Sequence, residues 1–421
     1  MRINHKLFAA LAACFFLAGS YSHALAVITL TPRSTLTPSV TIREEYNDNI
    51  FLTSSNEVDD FITTVNPAIS LSYTASLLTL SLDYGLVFRI FANHPELNET
   101  SPTQTQRAKL DTTLSPYRDI VFVKVFDEYS RVPIDQRRQV SLDNTFVNLT
   151  DSNRFLVNPY LEYPLSGTLK TRAGYSYENV WYRSAEGDDA ENHTATAGLT
   201  KAISSKLSTT LSYSYLFHRP SKTEAYDTQT VSLGMGYQLS QKLSLNGSVG
   251  ETFFNYDKSE RRNKASTVWQ VQANYHPTDV VTLGASYGES FSDSVNQGTY
   301  KNKSATGTVN YSGKIPLSIS AFRNVATYTT VDREDRSIGG TIGSRLPVSR
   351  NITANLSGTY TNFKFLPEDE RVNRYGFQFG FDYAMKITTL TLGYTWNLND
   401  SSSDARDYRN NIVFVQAKFS I

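Results

Sequence analysis

Cysteine is nearly absent from this sequence: Cys14 is the only one, and it lies in the N-terminal apolar stretch. This excludes a disulfide framework, the usual support of small exported domains. The chain also has no excess of charge of either sign, since 40 basic residues balance 40 acidic residues, so nucleic acid is not expected as a partner. Beyond the N-terminal stretch no apolar run approaches about 18 residues, so the sequence predicts no membrane-spanning helix.

The N-terminus has the order of a secretory signal peptide. A basic stretch, MRINHK, precedes an apolar run, LFAALAACFFLAG, and then the small-x-small triplet Ala24-Leu25-Ala26. This order predicts a signal peptide over residues 1–26, cut after Ala26, and a short periplasmic segment over 27–38. A lipoprotein signal, LAAC with lipid on Cys14, is the alternative. Against it, the apolar run continues past Cys14 through Leu17.

What the chain does contain is many aromatic residues and a period of two. It has 26 tyrosines and 23 phenylalanines but only 3 methionines, which favours strands over helices. In LLTLSLDYGLVFRI, apolar residues from Leu78 to Ile90 alternate with polar ones, and the last strand alternates in the same way from Val413 to Ile421. Segments of about ten residues with this alternation are typical of an outer-membrane β-barrel.

The fold class is therefore predicted as all-β: a transmembrane, antiparallel, up-and-down β-barrel over residues 39–421 in the outer membrane of a Gram-negative bacterium. Counting alternating segments gives about 20 strands, with 18 as the fallback because the faces mix near 119–130 and 316–329. Short links alternate with long polar ones, which predicts short periplasmic turns and long extracellular loops. A soluble double sheet or propeller would also show this alternation. Such a fold does not explain why an apolar face recurs on every strand of an exported chain without cysteine.

The outward face is predicted to carry aromatic girdles near the two membrane interfaces. The residues assigned to this face are Tyr73, Tyr175, Trp181, Tyr213, Tyr237, Trp269, Tyr287, Tyr360, Tyr394 and Trp396. On the last strand, Phe419 and Ile421 are predicted to face lipid and Lys418 the lumen.

The first strand breaks the pattern, because strict alternation in REEYNDNIFL places Glu44 and Asp48 in hydrocarbon. Asp48 escapes if it lies at the outer rim, where YNDN becomes a turn-prone strand end. For Glu44 the preferred interpretation is a bulge at Glu44-Glu45 that turns both carboxylates inward. The alternative is a strand that starts later, with Glu44 at the periplasmic interface.

Two strands that return from external loops share a Val-Asn-Pro motif, at VNPAISLSY and VNPYLEY. Because proline cannot donate to a strand ladder, Pro67 and Pro159 are each predicted to mark a bulge or a local break.

The segments EEYNDNIFLT and DDFITTVNPAISLSY resemble the opening of the beta-barrel porin 2 family over about residues 38–92. That resemblance implies an outer-membrane barrel, with a role in polysaccharide secretion for members associated with exopolysaccharide and exosortase systems.

No catalytic or metal centre is predicted, and no cofactor. Of the six histidines, two leave with the signal, and the other four lie far apart in sequence without a flanking motif. The acidic stretches EGDDAE and PEDERV are interpreted as solvated external loops, with weak binding of divalent cations or bridging to lipopolysaccharide as the alternative. The protein is thus predicted not to be an enzyme.

Chemistry is instead expected on the lumen wall, where mixed charge keeps a water column wet and a slight basic excess favours anions. The candidate lumen-lining residues are Glu45, Asp83, Arg89, Arg107, Lys109, Asp111, Arg154, Glu162, Lys170, Arg172, Glu178 and Lys418. Only about a dozen residues separate Ala26 from the first strand, so a TonB-type plug is not expected, and the lumen is either open or narrowed by loops.

The loop from Arg131 to Ser152 is the longest, and it carries seven apolar residues beside Arg137 and Arg138. We expect it to fold into the mouth, pack its apolar side on the wall and present both arginines to the solute. The alternative is a hairpin that extends the barrel above the membrane.

The functional prediction is an outer-membrane channel, with exopolysaccharide export as its sharper version. The alternatives are a general diffusion porin and a structural sheath or anchor for a partner, such as a cytochrome conduit. Expected partners are outer-membrane lipid, lipopolysaccharide and polysaccharide-secretion machinery.

Overall fold

The computed structural model describes residues 34–117, 119–143, 147–257 and 264–420. The predicted signal peptide, residues 27–33 and Ile421 lie outside this range. Among the residues described, no helix is long and apolar enough to cross a membrane.

The described chain forms 21 strand segments in one antiparallel sheet. Their bounds are β1 Ser34–Asn47, β2 Asp60–Thr74, β3 Leu78–Leu86, β4 Phe88–Phe91, β5 Gln106–Tyr117, β6 Val121–Pro133, β7 Leu149–Ser166, β8 Leu169–Tyr182, β9 Ala190–Ala202, β10 Leu207–Pro220, β11 Tyr226–Ser240, β12 Leu243–Tyr256, β13 Lys264–Thr278, β14 Val281–Ser294, β15 Gly298–Tyr311, β16 Leu317–Tyr328, β17 Glu334–Pro347, β18 Ile352–Leu366, β19 Glu370–Ala384, β20 Thr388–Ser401 and β21 Tyr408–Ser420. The helical elements are one turn each: an α-helix at Pro102–Thr105 and 3₁₀ turns at Pro95–Leu97 and Asp404–Arg406.

The sheet closes on itself, because β1 pairs with β2 on one side and with β21 on the other. Segments β3 and β4 both pair with β2 in one continuous register, so they form a single crossing. The 21 segments therefore make 20 crossings, which confirms the predicted strand number and the antiparallel closure. Both strands with mixed faces are present, as β6 and β16.

The outward face is apolar, as lipid requires. On β11, for example, Val231, Leu233 and Met235 are 46%, 54% and 52% exposed. All ten aromatic residues assigned to this face occupy outward positions, so the predicted faces have the correct sense. Phe419 is outward opposite exposed Val40, and Lys418 is inward opposite Thr41. The buried apolar cluster is small and lies at the external end, around Ile50, Ile62 and Phe91.

Both Val-Asn-Pro motifs interrupt the ladder, as predicted. Pairing of β2 with its next neighbour stops at Val65 and resumes at Ala68, so Pro67 lies in the gap. Pairing of β7 with β8 stops at Val157 and resumes at Tyr160, which leaves Pro159 in an equivalent gap. There the Asn158 side chain donates to the Tyr175 carbonyl at 2.8 Å, so that this acceptor is still satisfied.

The predicted bulge at Glu44-Glu45 is wrong. The register of β1 runs unbroken against both neighbours, so Glu45 faces inward and Glu44 outward. Thr63 donates to the Glu44 carboxylate at 2.6 Å, and this bond helps the carboxylate remain on that face. The alternative interpretation also fails, since β1 begins at Ser34, earlier than expected, and Glu44 lies near its external end. Residues 34–38, assigned to a periplasmic segment, belong to the barrel.

Asp48 does lie just beyond the strand, where its two carboxylate oxygens accept from the backbone and side chain of Asn411 at 2.6 and 2.5 Å.

The external connections differ in length: three residues join β18 to β19, whereas 15 join β6 to β7. The second of these two connections determines the geometry of the lumen.

Candidate functional site

The candidate lumen residues all occupy strand positions on the face opposite the exposed apolar side chains. Several form ion pairs along the wall of β5–β8: Arg154 Nε lies 2.5 Å from Glu178, and Arg172 Nη1 lies 3.4 Å from Glu162. Arg154 and Arg172 remain about half exposed, at 52% and 53%. This part of the wall therefore presents a wet, mixed-charge surface, and pairs this exposed contribute little stability.

The remaining wall candidates also lie on the inward face, and most of them are close to a polar partner. Lys109 Nζ lies 3.8 Å from Glu128, and Lys124 Nζ lies 3.5 Å from Asp111. Ser70 donates to Asp83 at 2.5 Å. Lys170 lies on the inward face of β8 and Lys418 on that of β21, both near the periplasmic end.

Three candidates are instead enclosed. Arg43 Nε lies 2.7 Å from Glu45, which is only 4% exposed. Arg89 pairs with Glu99 at 2.6 Å, and Arg107 reaches Asp151 at 3.5 Å, so both guanidinium groups belong to a network at the external rim. Sequence reasoning missed the two acids of that network, since one lies in a loop and the other at a strand end.

The lumen is crossed by the segment between β6 and β7, residues 134–148, of which 144–146 lie outside the described residues. We call this segment the crossing loop. It leaves the wall where the Ile134 N–H donates to the Asn148 carbonyl at 3.0 Å, so β6 and β7 end as a regular pair. From there it runs to β17, which lies nearly opposite β6 in the closed barrel, and then along β18–β21 to β1. The loop thus folds into the mouth, and the extended-hairpin alternative is wrong.

Two reciprocal ion pairs join the crossing loop to β17. Arg137 donates to Asp335 through Nε at 2.9 Å and Nη2 at 2.8 Å. In the opposite sense, Arg333 donates to Asp135 on the loop at 2.8 and 3.0 Å. Arg333 also binds Asp335 at 2.6 Å, so the four groups form one closed network. All four side chains are between 9% and 13% exposed, so removal of any one of them leaves a poorly solvated charge without its partner.

Arginines from the wall also hold the loop backbone. Arg374 donates to the carbonyls of Gln136 and Arg138 at 2.6 and 2.9 Å. Arg406 donates to the carbonyl of Arg137 at 3.0 Å. Charged donors on carbonyl acceptors make strong hydrogen bonds, so the path of the loop is fixed at successive residues.

The far end of the crossing loop rests on the inward face of β19–β21. Leu142 packs over Gly376, where an added Cβ would lie 2.6 Å from the leucine. Asp143 accepts from Thr395 at 2.9 Å and lies 3.5 Å from Arg43. Thr395 is only 1% exposed although it faces the lumen. Leu142, one of the apolar residues of the loop, therefore packs on the wall.

Only one of the two arginines is enclosed. Arg137 also binds Glu368 at 2.7 Å and is 13% exposed, whereas Arg138 pairs with Glu186 at 2.5 Å and stays 44% exposed. These acids come from the stretches PEDERV and EGDDAE. At 59% and 46% exposed, Glu368 and Glu186 remain solvated, and each also pairs with an arginine of the crossing loop. Two isolated acidic loops and two adjacent arginines in a third loop were the sequence signal for this closure.

Space remains on both sides of the crossing loop. A cavity of about 590 Å³ lies beneath its far end, lined by Asp143, Arg43 and the polar wall residues Asn355, Ser357 and Gln378. A second cavity of about 280 Å³ lies beside Asp135 and Gln136. The loop therefore crosses the barrel without filling it, and the space that remains is open to water.

Burial alone would raise the pKa of Asp135, but hydrogen bonds from Arg333 and from the Arg137 backbone outweigh it, so this pKa is lowered. The pKa of Glu368 is also lowered, first by a backbone hydrogen bond and then, against partial desolvation, by Arg137. The Arg138 guanidinium likewise lowers the pKa of Glu186. The docked loop thus favours the charged forms of these three carboxyl groups.

We expect acid to release the crossing loop. Because the docked pKa of Asp135 lies below the free value of 3.8, its pairing is complete above about pH 4 and is lost as the pH falls below that value. Planar-bilayer current should therefore stay low from neutral pH to about pH 5 and rise below about pH 4. Opening between pH 6 and pH 8 would contradict this assignment. The variant Asp135→Asn should lose part of the acid response.

The four described histidines have separate partners and do not converge: Asp60 for His94, Tyr175 for His193, Asn192 for His218 and Thr282 for His276. Among the described residues, no three His, Cys, Asp or Glu side chains are grouped as metal ligands.

No protein-family model matches the sequence, and no curated protein matches it. Solved structures do resemble it. The siderophore receptor PirA from Pseudomonas aeruginosa aligns with a TM-score of 0.51 and 11% identity, over 93% of this chain and 80% of that one. A mutant of the ferric enterobactin receptor PfeA from the same organism aligns with a TM-score of 0.51 and 8% identity, over 92% and 80%. The fold is that of an outer-membrane β-barrel. Identities this low carry no further conclusion about ligand or mechanism.

Proposed function

We propose that this protein is an outer-membrane channel that is closed by its own crossing loop and opens when the network of Asp135, Arg137, Arg333 and Asp335 releases. The carrying observation is that network, which joins a β6–β7 loop to β17 on the other side of the lumen. The lumen wall, polar and half exposed, suits a hydrophilic solute.

Exopolysaccharide is the solute we propose, moving outward with the help of polysaccharide-secretion machinery. The resemblance of residues 38–92 to the beta-barrel porin 2 family supports this version. So does an aromatic pair on the lumen face, Phe122 and Tyr160, whose rings stack at 4.9 Å with an interplanar angle of 14°. Arg172 lies 4.1 Å from the Tyr160 ring. Aromatic faces suit the C–H faces of sugar rings, and an adjacent arginine suits their acidic substituents.

A sheath around a partner protein is less well supported, because the crossing loop occupies the path that such a partner would take. A general diffusion porin is less well supported for the same reason.

The solute assignment predicts that saccharides interrupt the current. In a planar bilayer at acidic pH, acidic oligosaccharides added on the periplasmic side should block the open channel transiently. The variant Tyr160→Ala should shorten these blocks by about threefold to tenfold, the value of one stacking contact. Tyr163→Ala, which removes an outward tyrosine of the same strand that is 51% exposed, is the matched control. Ion current without any saccharide block would reject the polysaccharide version and leave the channel standing.

A further inference from the structure

The outward face of β17–β19 carries a row of basic side chains near its external end. Arg336 stands directly opposite Lys364, and Lys364 stands directly opposite Arg371. Arg336 shares its face with Ile338, two residues along the strand and 55% exposed, and Arg371 shares its face with Tyr375. Three cations thus lie side by side on the outer surface of the barrel.

Like charges directly opposite one another on neighbouring strands are destabilising. Acids offset the row only in part: Glu334 lies 2.6 Å from Arg336, and Asp369 lies 2.5 Å from Lys364. Arg371 is exposed and has no ion pair with any described residue. From β20, Asp400 on the same face accepts a hydrogen bond from the Asn373 side chain at 3.5 Å. An external anion would relieve the remaining repulsion.

The basic surface continues onto the neighbouring strands. Val325, opposite Arg336, is flanked on β16 by the exposed Arg323, which also faces outward. On β15, Lys301 and Lys303 lie 2.6 and 3.5 Å from one carboxylate, that of Glu289. This part of the face therefore also has more cations than acids.

The height of the row identifies the kind of anion. Tyr360 and Tyr375 face each other directly, with ring centroids 5.0 Å apart, and each lies four residues closer to the periplasm than the row. Interfacial aromatic residues mark the edge of the hydrocarbon. Four residues of strand measure roughly 13 Å, so even in a tilted strand the row lies among the head groups of the outer leaflet.

We propose that Arg336, Lys364 and Arg371 bind a phosphate group of a phosphorylated glycolipid in the outer leaflet, the chemistry of lipid A. Two guanidinium groups flank one ammonium group, and guanidinium forks match phosphate oxygens in pairs. The acyl chains of such a lipid would lie against the apolar outward residues below, including Ile342, which is 51% exposed, and Phe377, which is 37% exposed. The site fixes one lipid to the wall formed by β17–β19, and it is independent of the proposed channel activity.

The test compares the full barrel with the triple variant Arg336→Gln, Lys364→Gln and Arg371→Gln. Both are purified in detergent and titrated with diphosphorylated lipid A, and binding is followed by native mass spectrometry and by the unfolding temperature. The triple variant should bind roughly a hundredfold more weakly, since each surface cation contributes roughly a factor of five toward an anionic lipid.

The matched control removes three exposed cations from periplasmic turns instead, through Lys314→Gln, Arg350→Gln and Lys386→Gln. It should bind lipid A like the unmodified protein. Equal affinity of the unmodified protein and the first variant would overturn the proposal, and so would equal binding of dephosphorylated lipid A. Inorganic phosphate that protects the barrel as well as the lipid does would reduce the site to an adventitious ion only.

Discussion

Shortening the crossing loop is expected to raise the single-channel conductance by roughly threefold or more, because a barrel of 20 strands encloses a wide lumen once nothing crosses it. The structure specifies the variant. Since Ile134 and Asn148 are bonded at the base of the loop, residues 135–147 can be replaced by Asn-Gly, the pair that a two-residue hairpin turn favours. The measurement is the current step in a planar bilayer at neutral pH.

The control shortens a different external loop by removing Ser54–Glu57, four exposed residues between β1 and β2. This change should leave the conductance unaltered. If the loop-shortened barrel is folded, as shown by heat-modifiable migration and circular dichroism, and still conducts like the unmodified protein, then the crossing loop is not the barrier.

The second large effect is expected from Asp335→Asn, which removes one carboxylate from between Arg137 and Arg333. Breaking an enclosed pair leaves charge without a partner and costs about 3 kcal/mol, so the ratio of docked to released loop should fall roughly a hundredfold. Asp335 is 11% exposed, so solvent screens this loss only weakly. The expected observation is a higher open probability at neutral pH with the same conductance per open channel.

Two further variants show whether this effect belongs to the network. Asp382→Asn removes an inward carboxylate on β19 that accepts from Asn355 and Thr391, and it should leave the open probability unchanged. Arg137→Gln should act like Asp335→Asn, and the double variant should open little more than either single one, because both remove the same interaction. Fully additive effects would show that the two residues act separately.

The sequence was sufficient for the barrel because lipid on one side and water on the other impose a period of two on every strand. The faces of the strands and their number follow from this period. The gaps in pairing at Pro67 and Pro159 follow from the N–H donor that proline lacks. The position of Glu44 was missed for a local reason. The sequence pattern predicts a strand that begins at residue 39 and places Glu44 near its middle, whereas β1 spans Ser34–Asn47 and places this carboxylate near the rim.

The crossing loop was anticipated only in part. Its apolar residues indicated that it packs on something, and Leu142 does pack at Gly376. The partners of its arginines could not be read from the sequence, because Asp335 is separated from Arg137 by 198 positions and no local pattern links them. Only closure of the barrel brings the two together.

That separation has a consequence for biogenesis. The residues that hold the loop, from Arg333 to Arg406, are synthesised long after β6 and β7, and they lie across from the loop only when β21 has joined β1. Contacts between such distant parts of a chain form late. In every newly made molecule, therefore, the crossing loop has none of these anchors to bind until the strands from β17 onward have been made and added to the barrel.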